Sequence, residues 1–189
     1  PPSSGVTTVP VENEGELTIP EIAETVKPSV VGVMSTYRMY YVLGSGVILT
    51  DNGYIVTNCH VVNGASSVTV FLDSGEQYDA EIIGTDESSD LAVLKIEASD
   101  LTPATFGNSD ALAVGDLAVV IGTPHDLSLM GTTTAGIISA INRDIVIDNR
   151  TMTLIQTDAS INSGNSGGAM VNKYGQVVGI PSLKIGEDY

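Results

Sequence analysis

The chain is punctuated: short runs rich in Val, Ile and Thr follow one another at near-regular spacing, separated by turn chemistry. VVGVMSTY, GSGVILT, YIVTNCHVV, SVTVFL, YDAEIIGTD and DLAVLKIE form a first set, broken by turns such as Asp51-Asn52-Gly53 and Asp73-Ser74-Gly75. LAVVIGTP, TTTAGIISAINR, IVIDN, MTLIQTD, AMVNK and QVVGIPSLK form a second set after an irregular stretch near Pro103. Lys173-Tyr174-Gly175 reads as a hairpin turn between the last two. β-Branched side chains suit a pleated, half-buried surface, while Asn, Asp and Gly supply turn conformations. Strands this short bury their apolar faces only by closing into barrels or stacking as a sandwich. Two sets of about six predict an all-β fold of two small antiparallel β-barrels, over residues 19–105 and 106–189.

Helix signals are confined to one place. In TIPEIAETVKPS, Thr18 can cap, Pro20 falls early, Ile22 and Val26 share a face, and Pro28 stops the run. This predicts a short N-terminal helix. Ahead of it, residues 1–18 are Pro-, Glu-, Ser- and Thr-rich without periodicity and read as a flexible linker.

Charge and cysteine content remove whole classes. A net charge of −16, with only seven Lys and Arg, leaves nothing to neutralise a run of phosphates, so no nucleic-acid role is expected. The same charge disfavours an anionic membrane surface. Cys59 is the single cysteine, which rules out an internal disulfide. No motif calls for a cofactor or a metal.

Catalytic chemistry concentrates in SINSGNSGGAMV, Ser160–Val171. Gly164-Asn165-Ser166-Gly167-Gly168 fits G-x-S-x-G, the nucleophile turn of α/β-hydrolases. That fold needs its histidine after the serine, and the 23 residues following Ser166 contain none. The reverse order does work. Both histidines, His60 and His125, precede Ser166. His60 closes YIVTNCH, and Asp90 opens DLAVLKI, where Leu91, Val93 and Ile96 offer an anchor. A carboxylate at such a strand edge can accept a hydrogen bond from the imidazole and fix its tautomer. His–Asp–Ser is the chain order of chymotrypsin-type serine proteases. Cys59, next to His60 in an extended segment, is expected on the opposite face as a small buried residue.

TNCHVV, SSDLAVLKI, FGNSD, VGDLAVVIGTP and QTDASINSGNSGGAMVN, in that order, resemble the HtrA/Deg family of trypsin-like serine proteases from about Ile19 to Ile180. The resemblance implies two perpendicular β-barrels with the site between them. It implies Ser166 as nucleophile, His60 as general base and then acid, and Asp90 as the orienting carboxylate. The backbone amides of Gly164 and Ser166 would form the oxyanion hole. Ser160 and Ile161 would line the base of the primary specificity pocket, with Leu183 on the segment that pairs with substrate. No carboxylate stands at Ser160, so a small aliphatic residue is expected before the scissile bond, not Lys or Arg.

Control and setting follow from the same resemblance. Asn165, where digestive zymogens have Asp, closes activation by a newly cut N-terminus. Loop rearrangement around 124–132, 160–165 and 180–188 is implied instead. Ser163 replaces a common Pro, Pro181 removes a backbone donor near the substrate segment, and His125 falls in a control loop or is a plain loop histidine. The expected partners are unfolded or damaged polypeptides outside the cytoplasm, with a homotrimer by analogy and a membrane link only through a tether. Tyr37, Tyr40 and Tyr41 are candidate trimer contacts. The second barrel reads as lacking its final strand, and no PDZ domain is expected within the sequence. The alternative is a protease fold that binds unfolded polypeptide without cutting it.

Overall fold

A computed structural model describes residues 15–123, 127–147, 150–162 and 164–182. Residues 1–14, His125, Ser163 and Leu183 lie outside the described residues, and so does most of the 180–188 loop.

Helix α1, Ile19–Val26, starts where the sequence places it. Glu21 Oε2 accepts from both the amide and the hydroxyl of Thr18, at 2.7 Å each. Its buried face, Ile22 and Val26, packs with Val30, Val47, Val119, Ile121 and Val171. Those partners come from both sheets, so the helix seals the seam between them.

The first sheet is a closed antiparallel barrel in the order β1-β2-β3-β6-β5-β4. Its strands are β1 (Val30–Thr36), β2 (Tyr41–Ile48), β3 (Tyr54–Thr57), β4 (Ser67–Phe71), β5 (Gln77–Asp86) and β6 (Leu91–Ile96). Val31, Val33, Ile48, Ile55, Val68, Val70, Leu94 and Ile96 fill it. Alternation corrects one sequence expectation. On β6 the inward set is Ala92, Leu94 and Ile96, while Leu91 packs on the seam and Val93 stays partly exposed. Leu91 and Val93 are out of phase with Ile96, because successive side chains on a strand leave opposite faces.

The second sheet runs β11-β10-β7-β8-β9 and is open among the described residues, a half-barrel beside the closed one. It comprises β7 (Leu117–Gly122), β8 (Thr132–Ile147), β9 (Arg150–Thr157), β10 (Ala169–Val171) and β11 (Val177–Gly179). TTTAGIISAINR and IVIDN, expected as separate strands, merge into the 16-residue β8. Register shifts at Ile138/Ala140 and Ala140/Arg143 let β9 follow it. Ala118, Val120, Ile138, Ala159, Met170 and Val178 form the core of this half.

Candidate active site

His60 is carried on a helical turn and not on a strand end. β3 stops at Thr57, Asn58 is extended at φ −81°, and α2, Cys59–Val62, follows at once. Val61 and Val62 enter the first barrel's interior and Cys59 is buried, while the His60 side chain is 47% exposed. Cys59 and His60 do face apart, through helical rotation instead of pleating.

Asp90, just before β6, sits at φ 53°, in the left-handed region that Asp tolerates better than most residues. Five donors surround that residue. Its carbonyl accepts from Asn58 Nδ2 at 2.9 Å and from the Cys59 amide at 3.1 Å. Its carboxylate accepts from the His60 amide at 3.0 Å and meets His60 Nδ1 at 2.7 Å. Ser182 Oγ, from the chain after β11, donates to the same Oδ2. Burial alone would push this carboxyl up; the bonds from His60 and Ser182 outweigh it and hold the group below the ordinary carboxylate range. An ionised Asp90 accepting at Nδ1 leaves Nε2 with a lone pair, the tautomer a general base requires.

Ser166 lies half-buried in the loop leading to β10, between Gly164 at φ 103° and Gly167 at φ 84°. Neighbouring backbone explains Gly167: a Cβ there would lie 2.2 Å from Ser45 O and 2.5 Å from Thr57 Oγ1. Only glycine admits both that torsion and that approach. The loop docks on β2. The Ser45 amide donates to Ser166 O at 2.9 Å, and Ser45 Oγ donates to Gly164 O at 2.6 Å. Gly44 separates the two halves of the site, since a Cβ there would lie 2.7 Å from Val61 Cγ1 and 3.4 Å from Ser166 O. The Gly167 amide donates to Pro181 O at 2.9 Å, adjoining the Ser182 that reaches Asp90.

Among the described residues, neither the Gly164 nor the Ser166 amide donates to a protein acceptor, and no hydrogen bond joins Ser166 Oγ to His60. Asn165 is buried with its carboxamide spent locally: Oδ1 accepts from the Asn162 amide at 2.9 Å, and Nδ2 donates to Ser160 O at 3.2 Å. Thr134 Oγ1 donates to the same Ser160 carbonyl at 2.9 Å. Ser160 is exposed and Ile161 partly so. Tyr37 stacks on Tyr40 at 4.8 Å and donates to Asn63 O at 3.1 Å, while Tyr40 and Tyr41 are largely exposed. Among the described residues no group of three or more His, Cys, Asp or Glu is placed to hold a metal ion.

Two hydroxyls central to this arrangement carry no local sequence signal: Ser45 within β2 and Ser182 after β11. Each acts on residues about a hundred positions away, and neither stands in a motif.

A closed barrel and a half-barrel sharing a seam, with an imidazole–carboxylate pair on one side and a glycine-bracketed serine on the other, define a two-barrel protein of the trypsin-like class. Sequence comparison gives the family. The model described as trypsin-like peptidase domain matches residues 44–180, and the chain belongs to that family, in its HtrA/Deg group. It is 39% identical to the serine protease Do-like HtrB of Bacillus subtilis, over 98% of this chain and 45% of that protein. It is 45% identical to the serine endoprotease DegS of Haemophilus influenzae, over 77% of this chain and 42% of that protein. The HtrA-type protease AlgW, solved with a tripeptide, superposes with a TM-score of 0.79 at 42% identity, over 84% of this chain and 52% of that one. A serine endoprotease of Yersinia pestis gives 0.76 at 40% identity, over 91% and 60%. The chain thus spans less than half the length of the curated relatives it matches. Several relatives are named as periplasmic endoproteases, and names of this kind do not favour the non-cutting alternative.

Proposed function

We propose that the chain is the catalytic part of a serine endopeptidase that cuts polypeptides with His60, Asp90 and Ser166. The observation that carries this reading is the doubly bonded His60–Asp90 pair, lying across Gly44 from the docked Ser166 loop. Ser166 Oγ attacks the scissile carbonyl as His60 Nε2 takes its proton. Asp90 keeps the ring in the required tautomer and stabilises the imidazolium that forms. The Gly164 and Ser166 amides receive the oxyanion. His60 then protonates the leaving amine, and water repeats the sequence on the acyl-enzyme.

The preferred substrates are unfolded or damaged polypeptides outside the cytoplasm, handled by a homotrimer and, where a tether exists, at a membrane. These follow the HtrA family. Ser160, followed by Ile161, stands at the base of the primary pocket, which takes small aliphatic side chains, and Leu183 belongs to the segment that pairs with substrate.

Fluorophosphonate labelling read by mass spectrometry tests the chemistry. An adduct on Ser166 of the full chain, absent from Ser166→Ala, is the expected result. Casein cleavage should vanish in the same variant while casein binding survives. A chain that forms no adduct and cuts no casein overturns the proposal.

A further inference from the structure

We infer that Ser45 is a positioning residue for the oxyanion hole: its hydroxyl relays a hydrogen bond from the Thr123 amide to the Gly164 carbonyl, and this fixes the direction of the Gly164 and Ser166 amides. The inference rests on the proposed role of Ser166.

The direction of the relay is dictated by its partners. The Thr123 amide lies 2.8 Å from Ser45 Oγ and can only donate. The Gly164 carbonyl lies 2.6 Å away and can only accept. The single hydroxyl proton therefore points at Gly164. Ser45 is fully buried, and a Cβ at Gly122 would come within 2.9 Å of its oxygen, so the relay lies in close-packed interior.

What the relay controls follows from peptide planarity. The Gly164 carbonyl shares its plane with the Asn165 amide, which donates to Asn162 O at 3.2 Å. That plane is pinned at both ends, at one of them by the Ser45 hydroxyl. The Ser166 carbonyl shares its plane with the Gly167 amide, which donates to Pro181 O at 2.9 Å. This second plane is also pinned at both ends, here by the Ser45 amide. The Ser166 amide lies in the plane between these two, whose Asn165 carbonyl accepts from the Gly168 amide at 3.1 Å, and the Gly164 amide is one torsion pair before the first. One residue of the first barrel thus holds both flanks of the proposed oxyanion hole, and its carbonyl is itself held by Thr57 Oγ1 at 2.6 Å. Without the hydroxyl, the Gly164 peptide loses one of its two anchors and can rotate.

The test is a variant series in the full chain: Ser45→Ala, Ser45→Cys and Ser45→Thr, each assayed with a peptide amide substrate and a peptide aldehyde inhibitor. Removing one oxyanion donor outright costs about 10²–10³ in rate, so Ser45→Ala should lower kcat by about 10²-fold with KM nearly unchanged. Aldehyde affinity, which depends on the tetrahedral oxyanion, should fall in parallel. Ser45→Thr, which keeps the hydroxyl, should recover most of the loss. Ser45→Cys keeps the shape but is a poor donor; it should match Ser45→Ala and supplies the same comparison where the alanine variant does not fold. A kcat close to wild type, a loss confined to KM, or no recovery in Ser45→Thr overturns the relay. Wild-type chain that forms no Ser166 adduct removes the protease reading and the relay with it. Normal labelling of both wild type and Ser45→Ala removes the relay alone.

Discussion

Replacing Gly167 by alanine asks whether the two halves of the site are held by contact or merely lie near one another. The added Cβ would stand 2.2 Å from Ser45 O, 2.5 Å from Thr57 Oγ1 and 3.2 Å from the Asn58 amide nitrogen. Two of these are backbone atoms within the closed barrel, so no flexible side chain can move aside. A carbon needs more than 3 Å from such an oxygen, and the Ser166 loop must back away from β2 by about 1 Å. Alanine at φ 84° adds backbone strain of about 1–3 kcal/mol, and overpacking adds a similar amount. Together they predict a Tm fall of roughly 5–20 °C for a chain of this size. A 1 Å displacement at a catalytic centre costs about 10²-fold, so Ser166 labelling should slow by about that factor. Gly75→Ala is the control. Its φ of 91° is similar, but nothing stands within 4 Å of its Cβ. It should show the smaller Tm loss with unchanged labelling. Gly167→Ala labelling at the Gly75→Ala rate would refute contact as the positioning force.

Ser182→Ala removes a donor to a mostly buried carboxylate, and bonds to charged groups are worth about 1.5–3 kcal/mol, so peptide hydrolysis should fall by about 10- to 100-fold. Asp90→Asn should lower kcat by about 10⁴-fold at neutral pH by stabilising the wrong imidazole tautomer. The same variant should also change the acid limb of stability. Asp90 titrates below its ordinary range when folded, so its contribution is complete above the unfolded value of about 3.9 and is lost as pH falls through the lower folded value. Tm measured across that interval should therefore fall less steeply for Asp90→Asn than for wild type. Matched peptides with Val, Ala, Lys or Arg before the scissile bond should be cut in the first two cases only, and preferred cleavage after Lys or Arg would remove Ser160 from the pocket base.

Most of the strands were legible because they are compact runs rich in β-branched residues, several of them ended by Asn, Asp or Gly, a pattern the backbone obeys locally. His60, Asp90 and Ser166 stood out through order and motif. Less visible was how His60 is presented. The α2 turn is a single helical turn, too short to leave a periodic signal, and it begins where a strand pattern is still running. Ser45 and Ser182 were invisible for a different reason. Their partners lie 119 and 92 residues away, and a serine in a β-rich run says nothing about what the fold will place opposite it. The phase of β6 failed similarly, since Leu91, Val93 and Ile96 look equally apolar until the barrel decides which face is inside.

The single cysteine turns the α2 turn into its own reporter. Cys59 is 2% exposed and adjoins His60, so a thiol reagent reaches it only when that turn opens. Labelling kinetics under native conditions would therefore clock how often the histidine leaves its working position, with no introduced cysteine and no second thiol to confuse the count.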